Sequence, residues 1–280
     1  MNQLLQEKIN QLSTSKDFEC WYLVKHNPDF CNLCYLIDAL KKYTIYKDAL
    51  NLEESIKKYI AKINSEKGMT LSNNYRTLRV AAFLGLIRMN DAKYENAIIT
   101  PVFEDIRGKC DGEFEKTSLY QDVIDRQIEK IYTASIIDEE CDGVRKDFRI
   151  YPVMFLNKVL IEIGKVTGNY SISKSEYKYL VATTKKYEDY LNTMLLIKLF
   201  RDDPSAESEF IKFREKFDNR MNVAIELLSY LSFEGDKIEI KKDCIENIAK
   251  KVFDFESGNY DFGNGENYLD FLCSDKSFFE

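Results

Sequence analysis

Eight consecutive residues, Ser72-Asn73-Asn74-Tyr75-Arg76-Thr77-Leu78-Arg79, carry the densest group of side chains suited to reading nucleic-acid bases. An Asn amide matches the N6/N7 edge of adenine, and an Arg guanidinium matches O6/N7 of guanine. Ser, Thr and Tyr hydroxyls reach phosphates. Leu78, Ala82 and Phe83 recur at helical spacing, which keeps Asn73, Asn74, Arg76 and Arg79 largely off the buried face. An amphipathic surface helix with an Asn cap would show the same pattern.

Other chemistry fits less well. Cys20, His26, Cys31 and Cys34 supply four zinc-type ligands within fifteen residues. Their apolar surroundings (Phe18, Trp21, Tyr22, Phe30) suit buried structural thiols better. His26 is the only histidine, so a Ser-His-Asp or Cys-His hydrolase would have to use it, and no Gly-x-Ser-x-Gly elbow is present. Neither a Gly-x-x-x-x-Gly-Lys-Ser/Thr nor a Gly-x-Gly-x-x-Gly phosphate loop occurs.

The elements that would position these residues are mostly helical. Four Pro and eleven Gly leave few helix breaks and little material for an all-β fold. Helical spacing is expected over residues 2–12, 33–43 (capped by Asp29), 52–67 and from Ser72 to Leu86, with an exit at Gly85-Leu86-Ile87. A short strand, Ala97–Thr100, and a helix from Pro101 follow. This is the plan of a winged helix-turn-helix, whose second helix enters the major groove.

A related plan recurs downstream. A helix starts at Pro152 and stops at Gly164, and a capping-box start lies at Ser173/Glu176. Helices then follow over 187–201, 207–217 and 220–231. An alternating strand closes the series, with Ile238 and Ile240 inward and Lys237, Glu239 and Lys241 outward. Lys185, Lys186, Arg220 and Asn222 are the expected contacts from this second lobe, Thr77 adds to the first, and Lys93 and Lys237 in the wings would meet phosphates.

A net charge of −7, taken as a total, disfavours a nucleic-acid binder, since phosphate must be neutralised. Its distribution removes that inference for the binding face. Residues 254–280 hold seven acidic side chains and one Lys, whereas 57–109 hold ten basic and five acidic, and 171–201 six basic and three acidic. The acidic, aromatic tail reads as a linker or docking segment whose carboxylates could rest on the basic surface. Seven scattered Cys, a polar N-terminal start and no long apolar run are the expectations of a cytoplasmic protein without a membrane span.

In this order the segments resemble the DNA-recognition region of AlwI-like type II restriction endonucleases, a group that includes site-specific nicking enzymes. The resemblance rests on Asn73–Ile87 with Ile98-Ile99-Thr100, then Gln127–Ser135, Ile150–Val153, Ile172–Thr184 and Asn222–Ile240, across roughly residues 55–250. It implies consecutive winged-helix-like subdomains on DNA, ahead of a separate nuclease domain in which an Asp and a Glu-x-Lys pair hold Mg²⁺. The only strand-like Glu-x-Lys here is Glu239-Ile240-Lys241, inside the second wing and with no suitable Asp hairpin before it. No catalytic residue or metal ligand is therefore assigned, and Mg²⁺ is expected of a partner or a missing nuclease domain.

The resulting expectation is a mainly α protein with two winged-helix-like lobes and small β wings, preceded by a helical N-terminal segment. Its divisions would be 1–54, 55–146, 147–253 and a 254–280 tail. It would bind duplex DNA as a recognition domain or specificity subunit. A winged-helix transcriptional regulator and a complete Mg-dependent nuclease are the rivals.

Overall fold

The computed structural model describes residues 2–15, 19–24, 28–46, 50–91, 93–133, 148–217, 223–258, 260 and 265–279. Among these residues it is mainly α, with one two-stranded and one three-stranded antiparallel sheet. Among the described residues, no helix is long and apolar enough to cross a membrane. The chain forms two compact units, each assembled from separated stretches. One comprises 1–26, 128–261 and 278–280, and the other 27–127 and 262–277. These limits fall elsewhere than the composition breaks at 54, 146 and 253, because contacts between sequence-distant stretches define a unit and composition does not register them.

In the 27–127/262–277 unit, helix Leu52–Lys67 shows how sequence sets structure. Asn51 accepts from the Glu54 amide at 3.0 Å, and Glu53 and Glu54 sit in the positive first turn. Gly68 ends the helix in the left-handed conformation (φ 66°). Leu52, Ile56 and Ile60 form the buried stripe, each contributing about 1.5–3 kcal/mol. That stripe packs on helix Phe30–Tyr46, whose first turn is capped by Asp29 through the Asn32 amide at 3.0 Å. Helix Pro101–Cys110 begins on its proline, as expected, and buries Val102, Phe103 and Ile106. Phe114 stands edge-on to Tyr35 at 5.0 Å.

Glu115 ties this core together, accepting from Tyr35 Oη and from Lys67 Nζ, both at 2.6 Å. Burial pushes its carboxyl up, but the two hydrogen bonds outweigh burial and leave it at about 2. A depressed carboxyl stabilises the fold above its unfolded value, near 4.3, and that contribution disappears as pH falls through about 2. Glu115→Gln should therefore destabilise this unit at pH 6, with the difference from the parent protein shrinking between pH 5 and pH 2. Urea unfolding across that range checks it; a difference independent of pH would refute the assignment.

The other unit is built on helix Pro152–Thr167, buried on nearly every side and packed against helices Ile245–Ser257 and Tyr190–Asp202. Its end lies at Gly168 (φ 74°), past the Gly164 stop expected from the sequence. Gly164 is instead a point of close approach, where a Cβ would fall 2.1 Å from the Tyr170 ring. Strands Ser171–Ser173, Lys237–Ile240 and Leu231–Ser232 form the second sheet, with Lys237–Ile240 central. The expected alternation holds, since Ile238 and Ile240 are buried and Lys237 is exposed. The Ser173/Glu176 capping box is formed. Glu239-Ile240-Lys241 lies at this central strand, as the wing reading expects.

Two expected helices differ. Of the expected 220–231 helix, the described residues form a 3₁₀ turn, Val223–Leu227, because strand pairing of Leu231 with Ile240 and the Lys241 amide on Tyr230 O draw the chain out of helix. The helix from Ser72 begins only with a 3₁₀ turn, Tyr75–Thr77, followed by Leu78–Phe83. Two stretches of the acidic tail are helical: helix Ile245–Ser257 runs across its expected start, and Gly265–Leu272 forms another.

Candidate nucleic-acid interface

The residues before the short helix are held extended by side chains from far away. Asn64 donates to Leu71 O at 3.0 Å and accepts from the Leu71 amide at 2.8 Å, standing in for a neighbouring strand. Asn32 accepts from the Ser72 amide at 2.6 Å. Locally, Ser72 Oγ accepts from the Asn74 amide and Asn74 Oδ1 from the Arg76 amide, both at 3.2 Å. Such bonds compete with helical ones, so Asn73 and Asn74 precede the helix instead of lying on it.

Asn73, Asn74, Arg76 and Arg79 are exposed, while Thr77 is half-buried and Leu78 fully buried. The Asn74 side-chain oxygen is already committed to the cap. Arg76 makes no ion pair among the described residues, whereas Arg79 keeps an intramolecular interaction. Tyr75 meets Tyr94 edge to face at 5.9 Å, and Tyr94 Oη donates to Arg76 O at 3.4 Å. This contact brings the start of the helix beside the wing turn Tyr94–Asn96, which follows the exposed Lys93. Asp91 shapes that turn by accepting from the Lys93 amide and from Asn96 Nδ2, both at 2.7 Å. Those hydrogen bonds hold the Asp91 carboxyl below the usual range.

The wing is strand Ile87–Arg88 paired with Ile98–Ile99. Its base is fastened by buried polar groups. Thr100 Oγ1 donates toward Gly85 O (2.7 Å) and Leu86 O (2.9 Å). Gln127, fully buried, donates to Leu84 O at 2.9 Å and Leu272 O at 2.8 Å. Arg88 reaches Glu266 Oε2 at 2.6 Å and Asp270 Oδ1 at 2.5 Å, so two tail carboxylates do rest on one basic side chain of this unit. Sequence patterning misses Asn32, Asn64, Thr100 and Arg88, whose roles depend on partners remote in the chain.

In the 1–26/128–261/278–280 unit the expected contacts are dispersed. Lys185 is half-buried, 3.3 Å from Glu19 Oε2 and over the Phe148 ring at 5.4 Å, so its charge is engaged internally. Lys186 is exposed, its backbone bridged to Arg149. Lys237 is exposed on the central strand opposite Ser173. Arg220 and Asn222 lie outside the described residues. Of the four zinc-type residues, His26 also lies outside them, and Cys20 belongs to one unit while Cys31 and Cys34 belong to the other. Burial pushes the Cys31 thiol up to about 12, away from the thiolate a metal needs. Among the described residues no group of three His, Cys, Asp or Glu is placed to hold a metal ion.

No family model and no curated protein matches the chain. Among solved structures, it is similar to the BpuJ1 endonuclease binding domain, crystallised with pyrene- and phenanthrene-modified DNA. The TM-score is 0.49 and the identity 15%, over 85% of this chain and 89% of that one.

Proposed function

We propose that this protein binds double-stranded DNA in a sequence-specific manner, as the recognition portion of a restriction endonuclease. The observation that carries the reading is the Tyr75–Tyr94 contact, which puts exposed Arg76 beside the wing turn that follows Lys93, with exposed Asn73 and Arg79 three residues to either side in sequence. Such an arrangement suits a winged helix-turn-helix reading: base-reading groups at the start of a helix, with a flanking wing for the backbone. Arg76 is the leading base contact, by a bidentate bond to guanine, with Asn73 and Arg79 alongside. Lys93 meets phosphate, and Lys186 and Lys237 add phosphate contacts from the other unit. Mg²⁺ chemistry belongs to a nuclease domain or subunit, not to residues assigned here.

Selection of bound duplexes from a random pool tests the reading, and absence of any enriched sequence would sink it. Arg76→Ala should relax specificity at one position, costing about 1–3 kcal/mol of discrimination. Lys93→Ala should weaken all sequences alike and reduce the salt slope by about one unit. Plasmid cleavage by the chain with Mg²⁺ would instead favour a complete nuclease.

A further inference from the structure

A cavity of about 410 Å³ opens in the 1–26/128–261/278–280 unit, with Lys174, Tyr177, Lys178, Phe217, Glu226 and Phe233 in its wall. Its size falls within the range of small-ligand pockets. Lys174 and Lys178 lie one helical turn apart, and neither has an ion pair among the described residues. The Lys178 ammonium sits over the rings of Tyr179 and Phe217, at 5.5 and 5.3 Å. Burial lowers its proton affinity, so an anion beside it would offset a cost the fold already bears. Tyr177 Oη is buried with no hydrogen-bond partner. The wall segment Tyr177–Val181 is a π-helical turn, a geometry frequent at functional sites. Glu226 supplies one exposed carboxylate facing this cationic and aromatic surface.

We propose that this cavity is a binding site for a single nucleotide bearing an exocyclic amine. The phosphate binds Lys174 and Lys178, the base lies against the Phe217 and Phe233 rings, and its amine donates to Glu226. Cations suit phosphate and aromatic faces suit any base, while the lone carboxylate selects the amine-bearing bases cytosine, adenine and guanine over thymine. The site shares no residue with the duplex contacts proposed above, so either can fail alone.

Calorimetric titration of the full chain with dCMP, dAMP and dTMP tests it. Saturable binding of dCMP or dAMP is expected, with dTMP weaker and Glu226→Gln narrowing the gap. Lys178→Met, which keeps the aliphatic stem, should weaken binding about tenfold, the loss expected for one charged contact. Trp21 is the only tryptophan and lies 6.0 Å from the Tyr177 ring, giving a fluorescence signal for the same event. A single-stranded oligodeoxycytidine that displaces dCMP would identify a strand-held nucleotide as the ligand, and failure to displace it a free one; both support the site. No saturable binding of dCMP and dAMP, or binding that Lys178→Met leaves unchanged, overturns it.

Discussion

Trp21→Ala should destabilise its unit by about 3–5 kcal/mol, a large share of the roughly 5–15 kcal/mol that holds a folded protein together. Trp21 is fully buried, edge-on to Phe155 at 5.8 Å and to Tyr177 at 6.0 Å, so truncation opens a void between two further rings. It also fastens the chain by two hydrogen bonds, from Nε1 to Thr184 O at 2.7 Å and from its amide to Ala182 O at 2.9 Å. Trp21→Phe retains most of the bulk but leaves the Thr184 carbonyl without this donor, at a cost of about 1–3 kcal/mol. Urea unfolding followed by far-UV circular dichroism measures both, since removing the sole tryptophan removes the fluorescence probe. A loss below about 1 kcal/mol for the alanine variant would refute the packing described for this residue.

Gly85→Ala should cost the other unit about 2–4 kcal/mol and take the candidate DNA surface with it. Gly85 has φ 67°, which disfavours any side chain, and an added Cβ would lie 2.4 Å from Leu272 O. The obstacle is backbone that Gln127 also holds, so it cannot swing aside as a side-chain tip would. Relief requires moving the end of helix Gly265–Leu272 or opening the exit toward strand Ile87–Arg88. The expected result is a lower unfolding midpoint and early proteolysis within 27–127. An unchanged midpoint with intact DNA binding would show that this approach is looser than described.

Much of this fold is legible in the sequence where local chemistry decides it. Asn51 and Gly68 bracket one helix, Pro101 opens another, and Ile238 and Ile240 announce a half-buried strand. The candidate site is legible in composition but not in conformation. Nothing near Leu71 signals that Asn64 and Asn32 hold the lead-in extended, because those bonds bridge seven and forty residues. The lysines illustrate the same limit, since adjacent Lys185 and Lys186 differ in fate through partners such as Glu19 and the Phe148 ring. Charge runs locate cations; only tertiary partners decide which remain available to phosphate.

The bond from Gln127 to the Leu272 carbonyl spans 145 residues, and it places the closing helix of the 27–127 unit near the chain's far end. During synthesis that unit must therefore wait. Its Gly85 exit and the buried amide of Gln127 lack their cover until residues 265–272 have left the ribosome, after nearly all of the other unit has been made. Closing so long a loop is also slow relative to local helix formation. Assembly order is thus set against sequence order: the candidate DNA-reading segment is translated well before the helix that completes its unit.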